Sequence, residues 1–114
     1  MSSAANGSLT ISVEEAYRLQ KDPRTTFLDV RSPSEFAVSH IVGALNVPIN
    51  QLESSVDQLS KERPLIVYCD NPDEARSISR HVVQLLRSKG YNAFFIAGGL
   101  DAWRSARFKV AESG

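Results

Sequence analysis

Residues 64–77 read "PLIVYCDNPDEARS", and the order of the parts within this stretch decides the fold. "PLIVY" is a continuous apolar run, the pattern of a strand covered on both faces of a sheet. Cys69 and Asp70 follow at once, and then a helix begins. Asn71 suits an N-cap, Pro72 the first helical position, and Glu74 stands three residues after the cap. Further on, Ala75, Ile78, Val82, Leu85 and Leu86 recur at helical spacing, and Gly90 closes the helix as a left-handed cap.

Outward from this core the same alternation continues. "LTIS" is a short strand, and Ser12 with Glu15 forms a capping-box signature for a helix that ends before Asp22-Pro23. "TTFLDV" at 25–30 reads as a buried strand, and "SPSEFAVSH" as a short helix capped by Ser32 with Pro33 first. "ALNVPI" is extended, and "NQLESSVDQLS" is helical with Leu52, Val56 and Leu59 on one face. "NAFFI" is a further strand and "GGLDAWRSA" a final helix, with Trp103 closing it onto the sheet. Strands alternating with helices imply a mostly parallel sheet with helices on both faces. In such folds ligands gather at the carboxyl ends of the strands, where both Asp29-Val30-Arg31 and Tyr68-Cys69-Asp70 fall.

The bulk composition narrows the classes. A chain of 114 residues, 42% hydrophobic and 23% charged, is one globular domain with a core of its own. Thirteen basic and 13 acidic side chains cancel, which removes the electrostatic pull toward nucleic acid or an anionic membrane. No apolar run approaches a membrane span, so no membrane contact by this domain is expected. A single cysteine makes no internal disulfide, and no Cys/His spacing suggests a metal site. No cofactor is called for, and a reducing cytoplasm is the default location, either for this chain or for a larger protein containing it. The expected boundaries are an N-terminal tail at 1–8, one domain at 9–108 and a C-terminal tail at 109–114.

Cys69 has two readings. Ahead of a helix N-terminus, it faces unpaired backbone N–H groups and the positive end of the helix dipole, which lower a thiol's pKa and hold an anion formed there. Alternatively it fills core space at a strand end, as buried cysteines commonly do. The acids beside it cut both ways. Asp73 and Glu74 complement the helix dipole, whereas Asp70, if it faces the thiol, repels an anionic substrate. Arg31 reads as an anion partner at the shared edge or as a surface salt bridge. His40 reads as a general base for the thiol or as a structural histidine hydrogen-bonded to its neighbourhood, with Glu35 the expected partner.

Taken together the pieces resemble the rhodanese (thiosulfate sulfurtransferase) homology domain, from about Ile11 to Trp103. "FLDVRSPSEFAVSHIVGALNVPI" at 27–49 is similar to the first rhodanese signature, "PLIVYC" to the strand that delivers the catalytic cysteine, and "GYNAFFIAGGLDAW" at 90–103 to the closing segment. The usual loop, Cys-x-x-Gly-x-Arg-Ser, is replaced here by Cys-x-x-Pro-x-Glu-Ala, with Arg76 and Ser77 seven and eight residues past Cys69. The resemblance implies a rhodanese-like α/β fold with about five mostly parallel strands. It also implies that Cys69 is catalytic and carries sulfane sulfur as a persulfide from a small-molecule donor to cyanide or a thiol, protein thiols included. The loop backbone N–H groups and side chains of Asp70, Asn71, Asp73, Glu74, Ala75 and Arg76, with Arg31, form the candidate substrate-binding set. Two alternatives stand beside this reading. One is a non-catalytic rhodanese-like module that binds or regulates a partner. The other is a phosphatase or arsenate reductase of the same fold, which the long Cys-to-Arg spacing and the acidic loop disfavour.

Overall fold

In a computed structural model, the backbone is described at residues 9–70 and 72–112, and the side chains at all of these except 72–77 and 79. The elements run β1 (Thr10–Ile11), α1 (Val13–Gln20), β2 (Thr26–Asp29), α2 (Pro33–Val38), β3 (Ser39–Ile41), β4 (Leu45–Asn46), α3 (Leu52–Ser55), β5 (Leu65–Tyr68), α4 (Pro72–Ser88), β6 (Ala93–Ile96), α5 (Gly99–Ser105) and β7 (Val110–Glu112). Five strands form a parallel sheet in the order β1-β6-β5-β2-β4. The continuous apolar run is therefore the central strand, and all four of its residues are buried.

The pleat sorts the core into two layers. Leu65, Val67 and Cys69 project to the face covered by Leu52 and Val56 and by Val82, Val83 and Leu86 of α4. Ile66 and Tyr68 project to the opposite face, among Ala16 of α1 and Leu100 and Trp103 of α5. Each fully buried side chain of this kind contributes about 1.5–3 kcal/mol through removal from water. Two buried faces on one strand are why no polar alternation appears in "LIVY".

Local chemistry sets most element starts. Ser32 accepts a hydrogen bond from the Glu35 N–H, and the Glu35 carboxylate accepts one from the Ser32 N–H at 3.1 Å, so the capping box of α2 closes in both directions. Ser12 accepts from the Glu15 N–H at the start of α1. Gly90, at φ 97°, ends α4, with its own N–H bonded to the Arg87 carbonyl and the Tyr91 N–H to that of Leu86.

Two expectations change. The segment at 49–58 is not one helix. It is a 3₁₀ turn at Ile49–Gln51, one α-turn at α3, and another 3₁₀ turn at Val56–Gln58. Leu52 and Val56 are buried as expected, but Ser54, Ser55 and Asp57 are poor helix formers, and the Ser54 hydroxyl bonds back to the Gln51 carbonyl. Second, residues 110–112, within the expected C-terminal tail, form β7, which pairs antiparallel with β3 in a separate two-stranded sheet. The anchor is aromatic: Phe108 stacks on Tyr17 with ring centroids 4.0 Å apart, and the Trp103 indole N–H donates to the Lys109 carbonyl at 3.0 Å.

Candidate active site

At the carboxyl end of β5 the chain passes from Tyr68 through Cys69 and Asp70 to α4. Cys69 lies in the same buried cluster as Val30 and Val82, and only 2% of it is exposed. The start of α5 fixes this segment from beyond. The Leu100 N–H donates to the Cys69 carbonyl at 2.8 Å, and the Asp101 N–H to the Asp70 carbonyl at 3.0 Å. Gly99 makes the approach feasible. Its φ is 63°, and a Cβ there would lie 2.7 Å from the Cys69 carbonyl oxygen. A glycine is required on both counts.

The opposite face of the same edge holds a buried charge network. Asp29 and Tyr68 are register partners on β2 and β5, so their side chains lie side by side. Arg31 donates from Nε and Nη2 to both oxygens of Asp29 at 2.7–3.1 Å, and from Nη2 to the Ser39 carbonyl at 2.5 Å. The Tyr68 hydroxyl accepts from the Ile41 N–H at 3.0 Å. Burial, then the neighbouring Asp29 carboxylate, push the Tyr68 phenol well above its ordinary value. Burial is the largest influence on Arg31 and opposes its charge, but the hydrogen bonds to Asp29 together with the nearby charges of Asp29, Tyr68 and Asp70 outweigh it and raise the guanidinium. Nη1 of Arg31 reaches the Asp70 carboxylate at 3.4 Å.

Arg31 therefore does reach the shared edge, but its donors face inward and hold Asp29, Ser39 and Asp70. Neither a surface salt bridge nor an open anion clamp describes it. His40 is the structural histidine of the two readings, with Phe36 rather than Glu35 as its partner. It lies within β3, its ring stacked on Phe36 at 3.7 Å and its Nδ1 bonded to the Phe36 carbonyl at 2.8 Å, while Glu35 is taken up by the Ser32 cap. Asn71 lies outside the described residues, as do the side chains of Asp73, Glu74, Ala75 and Arg76. Of these, the backbone of the last three and of Asp73 belongs to the first turns of α4. Beside Val30 and Arg31 a cleft of about 270 Å³ opens toward Pro33, Pro48 and Ile49. Among the described residues no cluster of His, Cys, Asp and Glu could hold a metal ion, and no helix is long and apolar enough to cross a membrane.

The sequence places Asp29 and Tyr68 at the shared edge but assigns neither them nor Gly99 a role there. A carboxylate and a phenol inside otherwise apolar strands were a signal, since buried polar groups call for partners.

A parallel α/β domain with a thiol at the end of its central strand defines the class. The rhodanese-like domain family model matches residues 12–106, and the chain belongs to that family. Over 94 residues it is 29% identical to thiosulfate sulfurtransferase GlpE of Tolumonas auensis, covering 82% of this chain and 86% of that one. It is 32% identical over 81 residues to the uncharacterized protein YqhL of Bacillus subtilis, covering 70% of this chain and 61% of the other. Among solved structures, a rhodanese-related protein from Thermoplasma volcanium superposes with TM-score 0.78 at 26% identity, over 90% of this chain and 96% of that one. The BH2092 protein from Bacillus halodurans gives 0.83 at 22% identity, over 96% and 80%, a likeness of fold.

Proposed function

We propose that the chain is a sulfurtransferase that carries sulfane sulfur on Cys69. The observation that supports this most is the position of the thiol, at the carboxyl end of the central strand and three residues ahead of Pro72, where the 17-residue helix α4 begins, in a chain of this family. A helix start of that length directs unpaired N–H groups and positive partial charge at the sulfur, which favours thiolate and persulfide anions. With thiosulfate as donor, the Cys69 thiolate attacks the outer sulfur. A Cys–S–S⁻ bond forms, and the donor's S–S bond breaks with its electron pair leaving on sulfite. Cyanide or an acceptor thiolate then attacks the terminal sulfur, forms thiocyanate or a new persulfide, and returns Cys69 as thiolate. No resolving cysteine is required, because the acceptor is a separate molecule. The loop backbone N–H groups of Asp70, Asn71, Asp73, Glu74, Ala75 and Arg76 stabilise the anion in this reading, and a reducing compartment such as the cytoplasm suits the chemistry.

The 2% exposure of Cys69 favours a second reading, a binding module whose thiol is packing. One experiment separates the two. Intact mass after incubation with thiosulfate is expected to rise by one sulfur, the gain being removed by cyanide and absent in Cys69→Ser. If thiosulfate, an organic persulfide and polysulfide all leave the mass unchanged, the carrier reading is wrong.

A further inference from the structure

Two carboxylates at the sheet edge share one guanidinium. Asp29 is fully buried and takes Nε and Nη2 of Arg31 at 2.7–3.1 Å, whereas Asp70 receives only Nη1 at 3.4 Å and is the solvent-facing member, its side chain 37% exposed. Among the described side chains, Asp29, Arg31 and Asp70 carry two negative charges and one positive, and the weaker contact falls on Asp70, the residue that follows Cys69 in the chain. Its backbone carbonyl is held by the Asp101 N–H at 3.0 Å, which keeps the residue at the sheet edge, and its carboxylate meets Arg31 there.

We infer that Asp70 is a specificity-determining residue, which makes the Cys69 site favour sulfur donors of low negative charge, such as organic persulfides, over dianionic thiosulfate. The naming of the donor rests on the sulfur-carrier reading; the charge selection does not. With a persulfide R–S–SH, the Cys69 thiolate attacks the terminal sulfur and forms Cys–S–SH. The donor's S–S bond breaks, R–S⁻ leaves with the electron pair, and the proton stays on the transferred sulfur. With thiosulfate the same attack brings two negative charges up to Asp70. Adjacent residues lie well within a Debye length of about 30 Å at 0.01 M salt, so the repulsion is felt there and is screened at about 1 M.

The test uses the single cysteine, which makes alkylation a one-site reading by intact mass. Rates are measured on the native protein with anionic iodoacetate and neutral iodoacetamide. Both need the thiolate, so their ratio removes any change in thiol ionisation and leaves the charge of the reagent. Asp73, Glu74 and Arg76 are the same in every variant. In Asp70→Asn, iodoacetate is expected to gain on iodoacetamide by about three- to tenfold at low salt, the gain vanishing at high salt. Asp70→Glu keeps the wild-type ratio. Thiosulfate loading should gain on persulfide loading in the same variant and by a similar factor. A ratio unmoved or reversed in Asp70→Asn overturns the inference, as does failure of both reagents to modify the native wild-type protein. A ratio that moves as expected in a protein that no sulfane donor loads overturns the carrier reading and leaves the charge selection standing.

Discussion

Tyr68 and Cys69 are adjacent in the chain, and the pleat of β5 sends them to opposite faces of the sheet. On the Tyr68 side, Asp29, Arg31, Ser39 and Ile41 close a buried network in which the guanidinium, the carboxylate and the hydroxyl each have partners. On the Cys69 side the thiol lies in the buried apolar cluster, and α4 begins at Pro72. The difference teaches that position at the carboxyl edge does not by itself make a residue part of the chemistry. Arg31 has the position, and its donors are taken up by Asp29, Ser39 and Asp70; Cys69 has the same position and precedes the start of α4 in the chain. Asp70 lies where the two regions meet.

The sharpest break of this comparison is Cys69→Ser. It should abolish sulfur loading while leaving the network of the other face intact, seen as complete loss of the one-sulfur mass gain with the circular dichroism spectrum retained. Next comes Arg31→Ala, which leaves the fully buried Asp29 carboxylate unpaired. A loss of about 3–5 kcal/mol is expected in urea unfolding, a large part of the stability of a small domain. If the loss were under about 1 kcal/mol, Arg31 would not be scaffold. Gly99→Ala acts on both faces at once, because its Cβ would meet the Cys69 carbonyl at a positive φ. It should cost about 1–3 kcal/mol and slow Cys69 alkylation or loading in parallel.

Tyr68→Phe is the smallest change. It removes the acceptor of the Ile41 N–H and should cost about 1 kcal/mol near neutral pH. Its alkaline signature is more specific. A phenol whose folded pKa is raised adds stability that is fully present below pH 10.0 and is lost as the pH climbs from there toward the folded value. The variant should therefore lose stability less steeply above that pH, with a residual slope from Tyr91, which burial and Asp57 also raise. Equal slopes in wild type and variant would show that Tyr68 titrates as it does in the unfolded chain.

The ends of α4 and α5 show where the sequence is legible and where it is not. Both helices end in the same hydrogen-bond pattern. Gly90 closes α4, and a glycine after an apolar periodic run announces itself. At the end of α5 the left-handed residue is Arg107, at φ 68°, with its N–H on the Arg104 carbonyl and the Phe108 N–H on that of Trp103. Nothing in "SARFK" marks that turn, because its cause is the packing of Phe108 on Trp103 and Tyr17. The same turn aims the chain at β3, so no local signal in the sequence announces β7.

From the sequence alone followed the alternation of strands and helices, the caps at Ser12, Ser32 and Gly90, and a cysteine between a buried strand and a helix start. Each of these depends on residues within a few positions of one another, and hydrophobic period, capping oxygens and glycine freedom act at that range. The strand order, the pairing of β3 with β7, the approach of Gly99 to the Cys69 carbonyl and the partners of Arg31 came only with the tertiary structure. Arg31 and Asp70 are 39 positions apart, and no local propensity records such a contact. What brings them together is burial of both faces of β5, which sets β2 beside it in register and leaves Asp29 needing a cation.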